Sequence, residues 1–186
     1  ANTTGSDNVA VGRNALDANL TGASNTAVGR DSLGANTTAS FNSAFGFNAL
    51  KANTTGANNT AVGEGAMEVN IGGSFNTAMG VSALDANTTG ADNVALGTYS
   101  LSTNTTAGKN TAVGRSSLSA NITGAQNVAV GYTSLEANTT GSNNVAVGYQ
   151  ALDANTTVSE GTAVGYRALS SNTTGANNTA LGTTAM

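Results

Sequence analysis

The sequence predicts an all-β protein, a parallel β-solenoid of eleven coils, and three observations predict it. The first is a period of 17 residues that runs unbroken from Ala1, opening ANTTGSDNVAVGRNALD and closing SNTTGANNTALGTTAM, one position short of a full copy. A short fixed period means stacked units, each stabilised by its two neighbours. The second is a short string, β-branched in all but one copy, that ends at glycine in every copy, as in NVAVG at Asn8 to Gly12. The third excludes helix. A period of 17 is half of the ~34 residues typical of paired-helix repeats, but 24 glycines, a Thr-Thr-Gly run in five copies and the lack of any i, i+3, i+4, i+7 stripe oppose that alternative.

Each element follows when the positions of a repeat are numbered as phases 1 to 17. Phase 2 is Asn in all copies: Asn2, Asn19, Asn36, Asn53, Asn70, Asn87, Asn104, Asn121, Asn138, Asn155 and Asn172. Phase 8 is also Asn, except at Gly161. Both phases read as turn positions with positive φ, which Asn and Gly tolerate, and stacked Asn side chains about 4.8 Å apart can form amide ladders. Phases 8 to 12 then read as a strand. Phase 10 is always Ala and phase 12 always Gly, from Ala10 and Gly12 through Ala95 and Gly97 to Ala180 and Gly182, so tight packing is expected there. Phase 11 is always apolar and phase 16 always Leu or Met in the complete copies, and these are the expected core residues. All sixteen charged residues fall at phases 7, 13, 14 or 17, which are therefore expected to face solvent.

One coil buries two large side chains at best, worth roughly 3 to 6 kcal/mol, whereas ordering its backbone costs about 1 to 2 kcal/mol per residue. Stacking, and contact with other chains, must supply the difference. The unbroken period allows no linker, so residues 1–186 read as a single repeat array without cap domains. The opening on Ala1, with no charged-then-apolar segment, fits a mature chain or an excised piece of a longer one.

The absence of His and Cys removes imidazole and thiolate chemistry, and the carboxylates recur singly rather than as acid/base pairs, so an enzyme is not expected. Nor is a metal or nucleotide cofactor, since neither an aspartate-bearing calcium loop nor a phosphate loop is present. A net charge of −4 with six scattered Lys and Arg offers no stripe for nucleic acid. No apolar run is long enough for a membrane span.

The strings NVAVGRNAL at Asn8 to Leu16 and NVAVGYQAL at Asn144 to Leu152 resemble the head repeats of trimeric autotransporter adhesins. They are still more similar to the 17-residue arrays of bacterial and viral tail-fibre-like proteins, a likeness that covers the whole chain. The resemblance implies a left-handed β-roll, association of three chains, close sheet approach at the Ala10 series, and interiors filled by phases 11 and 16. It also implies an extracellular, cell-surface or virion fibre, with the chain as shaft or head. The period here exceeds the usual adhesin-head repeat, the surplus falling in the ANTTG turn.

Three surface patterns invite chemistry. An Asn-x-Thr sequon recurs in ten copies, broken at Asn70-Ile71-Gly72, but a turn built of Asn and Thr produces it automatically. Paired threonines at phases 3 and 4 are reminiscent of ice-binding solenoids; alternation along a strand would present only one of the two ranks, and Leu20, Ile71 and Ile122 interrupt phase 3. Tyr132, Tyr149 and Tyr166 share phase 13 in consecutive coils, a ladder that either stabilises itself or stacks on the sugars of a surface glycan. The expected partners are thus copies of the chain itself, as a homotrimer or stacked end to end, with a surface glycan or receptor as ligand. Neither end of the array departs from the consensus, and a filament subunit and an ice-binding solenoid remain open beside the fibre reading.

Overall fold

The computed structural model describes all 186 residues as a β-solenoid in which each repeat makes one coil. Its eleven strands, β1 (Val9–Val11), β2 (Thr26–Val28), β3 (Ser43–Phe45), β4 (Thr60–Val62), β5 (Thr77–Met79), β6 (Val94–Leu96), β7 (Thr111–Val113), β8 (Val128–Val130), β9 (Val145–Val147), β10 (Thr162–Val164) and β11 (Thr179–Leu181), form one parallel sheet in sequence order. Register is strict: Val9 pairs Thr26, Ala10 pairs Ala27, Val11 pairs Val28, and so on to Val164 and Leu181. The strands span phases 9 to 11, two residues shorter than phases 8 to 12. Asn8 and Gly12 flank the strand because the chain turns there.

The rest of the perimeter is turn and bend. After the strand, Gly12 and its equivalents adopt φ of 125° to 141°, a region closed to side chains, and a Cβ at Gly12 would stand 2.6 Å from the Gly29 carbonyl oxygen. Overlapping turns follow, in which phase 15 bonds back to phase 12 and, in four coils, phase 17 to phase 14, as in Ser32 N–H to Gly29 and Gly34 N–H to Asp31. Phases 14 and 16 have positive φ as third residues of those turns, the feature that marks type II geometry. Phase 7 is the third left-handed position of the coil. The asparagines of phases 2 and 8 are not left-handed, contrary to expectation, and neither is Gly161. Leucine, with no such preference, is left-handed at phase 16 because only that conformation aims its side chain inward while its N–H reaches the next coil, as Leu33 does to Ala49 at 3.0 Å.

The core is narrow and built from small residues. Leu or Met at phase 16 is its only large side chain, joined by Ala at phase 10 and Ala or Ser at phase 15; Leu33 through Leu152 are fully buried. Phase 11, expected inside, faces out: Phe45 is 41% exposed and Met79 48%. A three-residue strand alternates sides, so with Ala10 and its equivalents inward, phases 9 and 11 must point outward. Phase 7 is exposed throughout, but the charge-bearing phases 14 and 17 are partly covered, and Asn48 and Thr133 are buried. There the close stacking of coils lays each side chain over the same phase of its neighbour.

Candidate functional site

Two amide columns run up the interior. In the phase 2 column each Asn donates from Nδ2 to Oδ1 of the Asn one coil earlier, from Asn19 to Asn2 at 3.0 Å through Asn138 to Asn121 at 2.9 Å. The second Nδ2 hydrogen goes to the carbonyl three residues on, as from Asn87 to Gly90 at 3.0 Å, locking the ANTTG turn. In the phase 8 column Oδ1 accepts the backbone N–H of the next coil, and Nδ2 reaches the phase 5 carbonyl of that coil, as in Asn25 N–H to Asn8 at 2.9 Å and Asn25 Nδ2 to Ala39 at 2.8 Å. These amides satisfy polar backbone in a place that water does not reach. Side-chain satisfaction is what Asn supplies at phases 2 and 8. Gly161 keeps the backbone bonds of the phase, its N–H donating to Asn144 Oδ1 at 2.9 Å and its carbonyl accepting from Val145 N–H at 2.8 Å.

Phase 5 controls the gap between coils. A Cβ on Gly56 would collide with the Gly73 carbonyl one coil on, so glycine there permits the shortest stacking. The bond from the phase 3 N–H to the phase 3 carbonyl of the next coil reads the gap out. Above glycine it is 2.6 to 3.0 Å, as at Thr3, Leu20, Thr54, Ile71, Thr88, Ile122 and Thr139. Above Ala107 the Thr105 N–H bond to Ile122 lengthens to 3.3 Å, and above Ala39 no bond joins Thr37 N–H to Thr54. Val158 has the largest effect. Thr156 N–H no longer reaches Thr173, Asn177 N–H no longer reaches Ser159, and Asn172 donates to Gly175 alone. Asn155 bonds Val158 but does not donate to Asn138, whose Oδ1 is left buried without a partner. The strand side stays closed, with Thr162 N–H to Asn178 and Gly182 N–H to Val164 both 2.8 Å. Coil 11 is therefore splayed about its strand.

The expected surface patterns separate on geometry. Tyr132, Tyr149 and Tyr166 form a ladder with ring centroids 5.4 and 5.3 Å apart and planes within 12° of parallel. Arg115 lies 5.9 Å from the Tyr132 centroid, over the outer face of the stack. The facing surfaces of the three rings are spent on one another, and the guanidinium takes the outer face of Tyr132. Phases 3 and 4 lie on a bend and not a strand, so the two threonine ranks are not segregated by alternation. They differ in their hydroxyls: Thr88 Oγ1 donates to the Thr105 carbonyl at 3.0 Å, whereas the phase 4 hydroxyls, all exposed, make no bond within the protein.

Two carboxyls at phase 17 feel burial. Desolvation raises the Asp85 carboxyl above its ordinary 3.8, and Glu68 one coil earlier pushes in the same direction against bonds from Ala86, Asp85 and Ser82. Asp153 is also raised by desolvation, opposed by Arg167. Asp31 is lowered, chiefly by the bond from Asn14 Nδ2 at 2.7 Å and then by Arg30, whose Nε is 3.1 Å away.

Two features were not foreseen from sequence. One is the outward band of phases 9 and 11, whose signal was the alternation itself. The other is a shallow axial groove with Thr89 and Thr106 on one wall, Asp92, Lys109 and Gln126 on the other, and Gly108 in its floor. Comparison of the chain with protein families, with curated proteins and with solved structures returns no match.

Proposed function

We propose that the chain is a structural segment, shaft or head, of an extracellular fibre on a cell surface or virion, assembled laterally as a homotrimer and holding other parts of the fibre at a distance. The outward face of the sheet carries this reading. Val, Phe, Met or Leu at phase 11 makes an apolar row eleven strands long, about 50 Å at the ladder spacing, flanked at phase 9 by Val in four coils and by Thr or Ser in the rest. A soluble monomer rarely leaves so extended an apolar surface in water. The interior of each coil, one leucine wide, also leaves stability to be gained between chains. Three chains rather than two follows the resemblance to adhesin heads. Native mass spectrometry of the 18.1 kDa chain tests it. A trimer mass that falls to the monomer mass in Leu96→Asp supports the reading, and a monomer mass for the unaltered chain rejects it.

A further inference from the structure

Phase 7 is the most outward corner of the coil. Every phase 7 residue is exposed, and its positive φ turns the side chain away from the stack. From coil 3 to coil 8 this corner carries Phe41, Asn58, Phe75, Asp92, Lys109 and Gln126. The two phenyls are the most exposed aromatics of the protein, at 61% each, and neither stacks on another ring nor lies under a cation. The polar members are equally free, with no hydrogen bond or ion pair from their side chains to the rest of the chain. Across a floor of small phase 6 residues stands the row of unpaired phase 4 hydroxyls, broken at Gly72 in the coil of Phe75. At coils 6 to 8 the groove has hydrogen-bonding groups on both walls, and the phase 7 row that forms one wall continues beyond it through Phe75 and Phe41.

We propose that this groove binds an extended, neutral β-1,4-linked polysaccharide lying parallel to the solenoid axis. Phe41 and Phe75 share a phase two coils apart, about 9.6 Å at ladder spacing, the span of two sugars in an extended β-1,4 chain. Successive sugars in such a chain are flipped, so every second one turns the same C–H face to the same side. Two phenyls at that interval meet like faces. Between and beyond them, Asn58, Asp92, Lys109 and Gln126 offer donors and acceptors at the pitch of single sugars. Opposite charges on adjacent coils, Asp92 and Lys109, leave the wall without net charge, which favours a neutral chain over a polyanion. An extended peptide is disfavoured because the backbone at this corner is already paired, Asp92 N–H to Ser74 and Lys109 N–H to Ala91. The proposal does not depend on the number of chains in the fibre.

Titration of the whole chain with cellohexaose, chitohexaose and maltohexaose, followed by calorimetry and by amide chemical shifts, tests the groove. Both β-1,4 hexaoses should bind and shift the phase 4 to phase 7 amides of coils 3 to 8, and the α-1,4 hexaose should not. Phe41→Asn and Phe75→Asn place at the corner a residue that already occupies it in Asn58 and Asn143, so both variants keep the fold. Each should weaken binding by roughly tenfold, the scale of one lost aromatic contact, while Tyr149→Ala leaves it unchanged. The proposal is overturned if neither β-1,4 hexaose binds at millimolar concentration, if maltohexaose binds as well as they do, or if Tyr149→Ala abolishes binding that Phe75→Asn spares.

Discussion

A single side chain at phase 5 decides whether two coils touch. The series Gly, Ala, Val widens one backbone contact from bonded, through stretched or lost, to a coil splayed along its turn side. We therefore expect Val158→Gly to restore the bond from Thr156 to Thr173, raise the melting temperature and slow amide exchange at Thr156 and Asn177; unchanged exchange would show that Val158 is not the wedge. Gly90→Val should open coils 6 and 7 in the same way. At phase 10 the wall is closer still, and Ala95 is fully buried. Ala95→Leu should cost about 1 to 3 kcal/mol or more, whereas Asp92→Leu at the open corner should stay within about 0.5 kcal/mol. Denaturant midpoints compare the two variants, and equal midpoints would reverse the assignment of inside and outside. The repeat made the invariance of Ala and Gly visible, but not its reason at phase 5, where the exceptions Ala39, Ala107 and Val158 inform only once the spacing is known.

Among elements, strand and turn were legible to different depths. An alanine followed by an apolar residue and closed by glycine, with a β-branched residue before it in all but one coil, located all eleven strands, because alternation and a glycine stop are local properties. Which side faces in was not local. Leucine or valine at phase 11 reads as core until the coil is seen to hold only one large side chain, that of phase 16. Left-handed φ at phases 7, 14 and 16 was equally hidden, since Phe41, Tyr99 and Leu50 have no preference for it and the stacked ladders impose it. The phase 17 row makes a further prediction. Raised carboxyls such as Asp85 and Asp153 bind protons more tightly folded than unfolded, so they cost stability when ionised, and the cost fades as pH falls through the raised value towards 3.8. Asp31, being lowered, contributes in the opposite sense, its stabilisation present above 3.8 and lost as pH falls through the lowered value. Asp85→Asn should thus raise the melting temperature at pH 7 and leave it unchanged at pH 3. Thermal melts at the two pH values decide this, and a loss of stability at pH 7 would mean that the ionised carboxyl is favourably held.

For the molecule as a whole, the period was sufficient to give a rod of eleven coils, because in a stacked array the fold of one repeat is the fold of all. Its surfaces were less legible. The charged phases were readily placed outside, but the apolar band and the corner groove exist only when rows from successive coils are brought side by side. If the band is the contact between chains, Leu96→Asp should dissociate the assembly and Phe75→Asn should not, the latter lying at a corner and not on the sheet face. Sedimentation velocity on both variants checks this pair of outcomes.

The phase 2 amide column gives the rod a direction as well as a length. In the strands, N–H groups point alternately up and down the axis, as Val9 bonds forward to Asn25 and Gly29 backward to Val11, so their dipoles largely cancel. The asparagine amides all point one way, Nδ2 towards the first coil and Oδ1 towards the last, in a run of eight links from Asn2 to Asn138. Their dipoles add, leaving partial positive charge at one tip and partial negative charge at the other. Such a rod aligns in an electric field like a compass needle in a magnetic one, and parallel bundling of several rods must overcome the mutual repulsion of like poles.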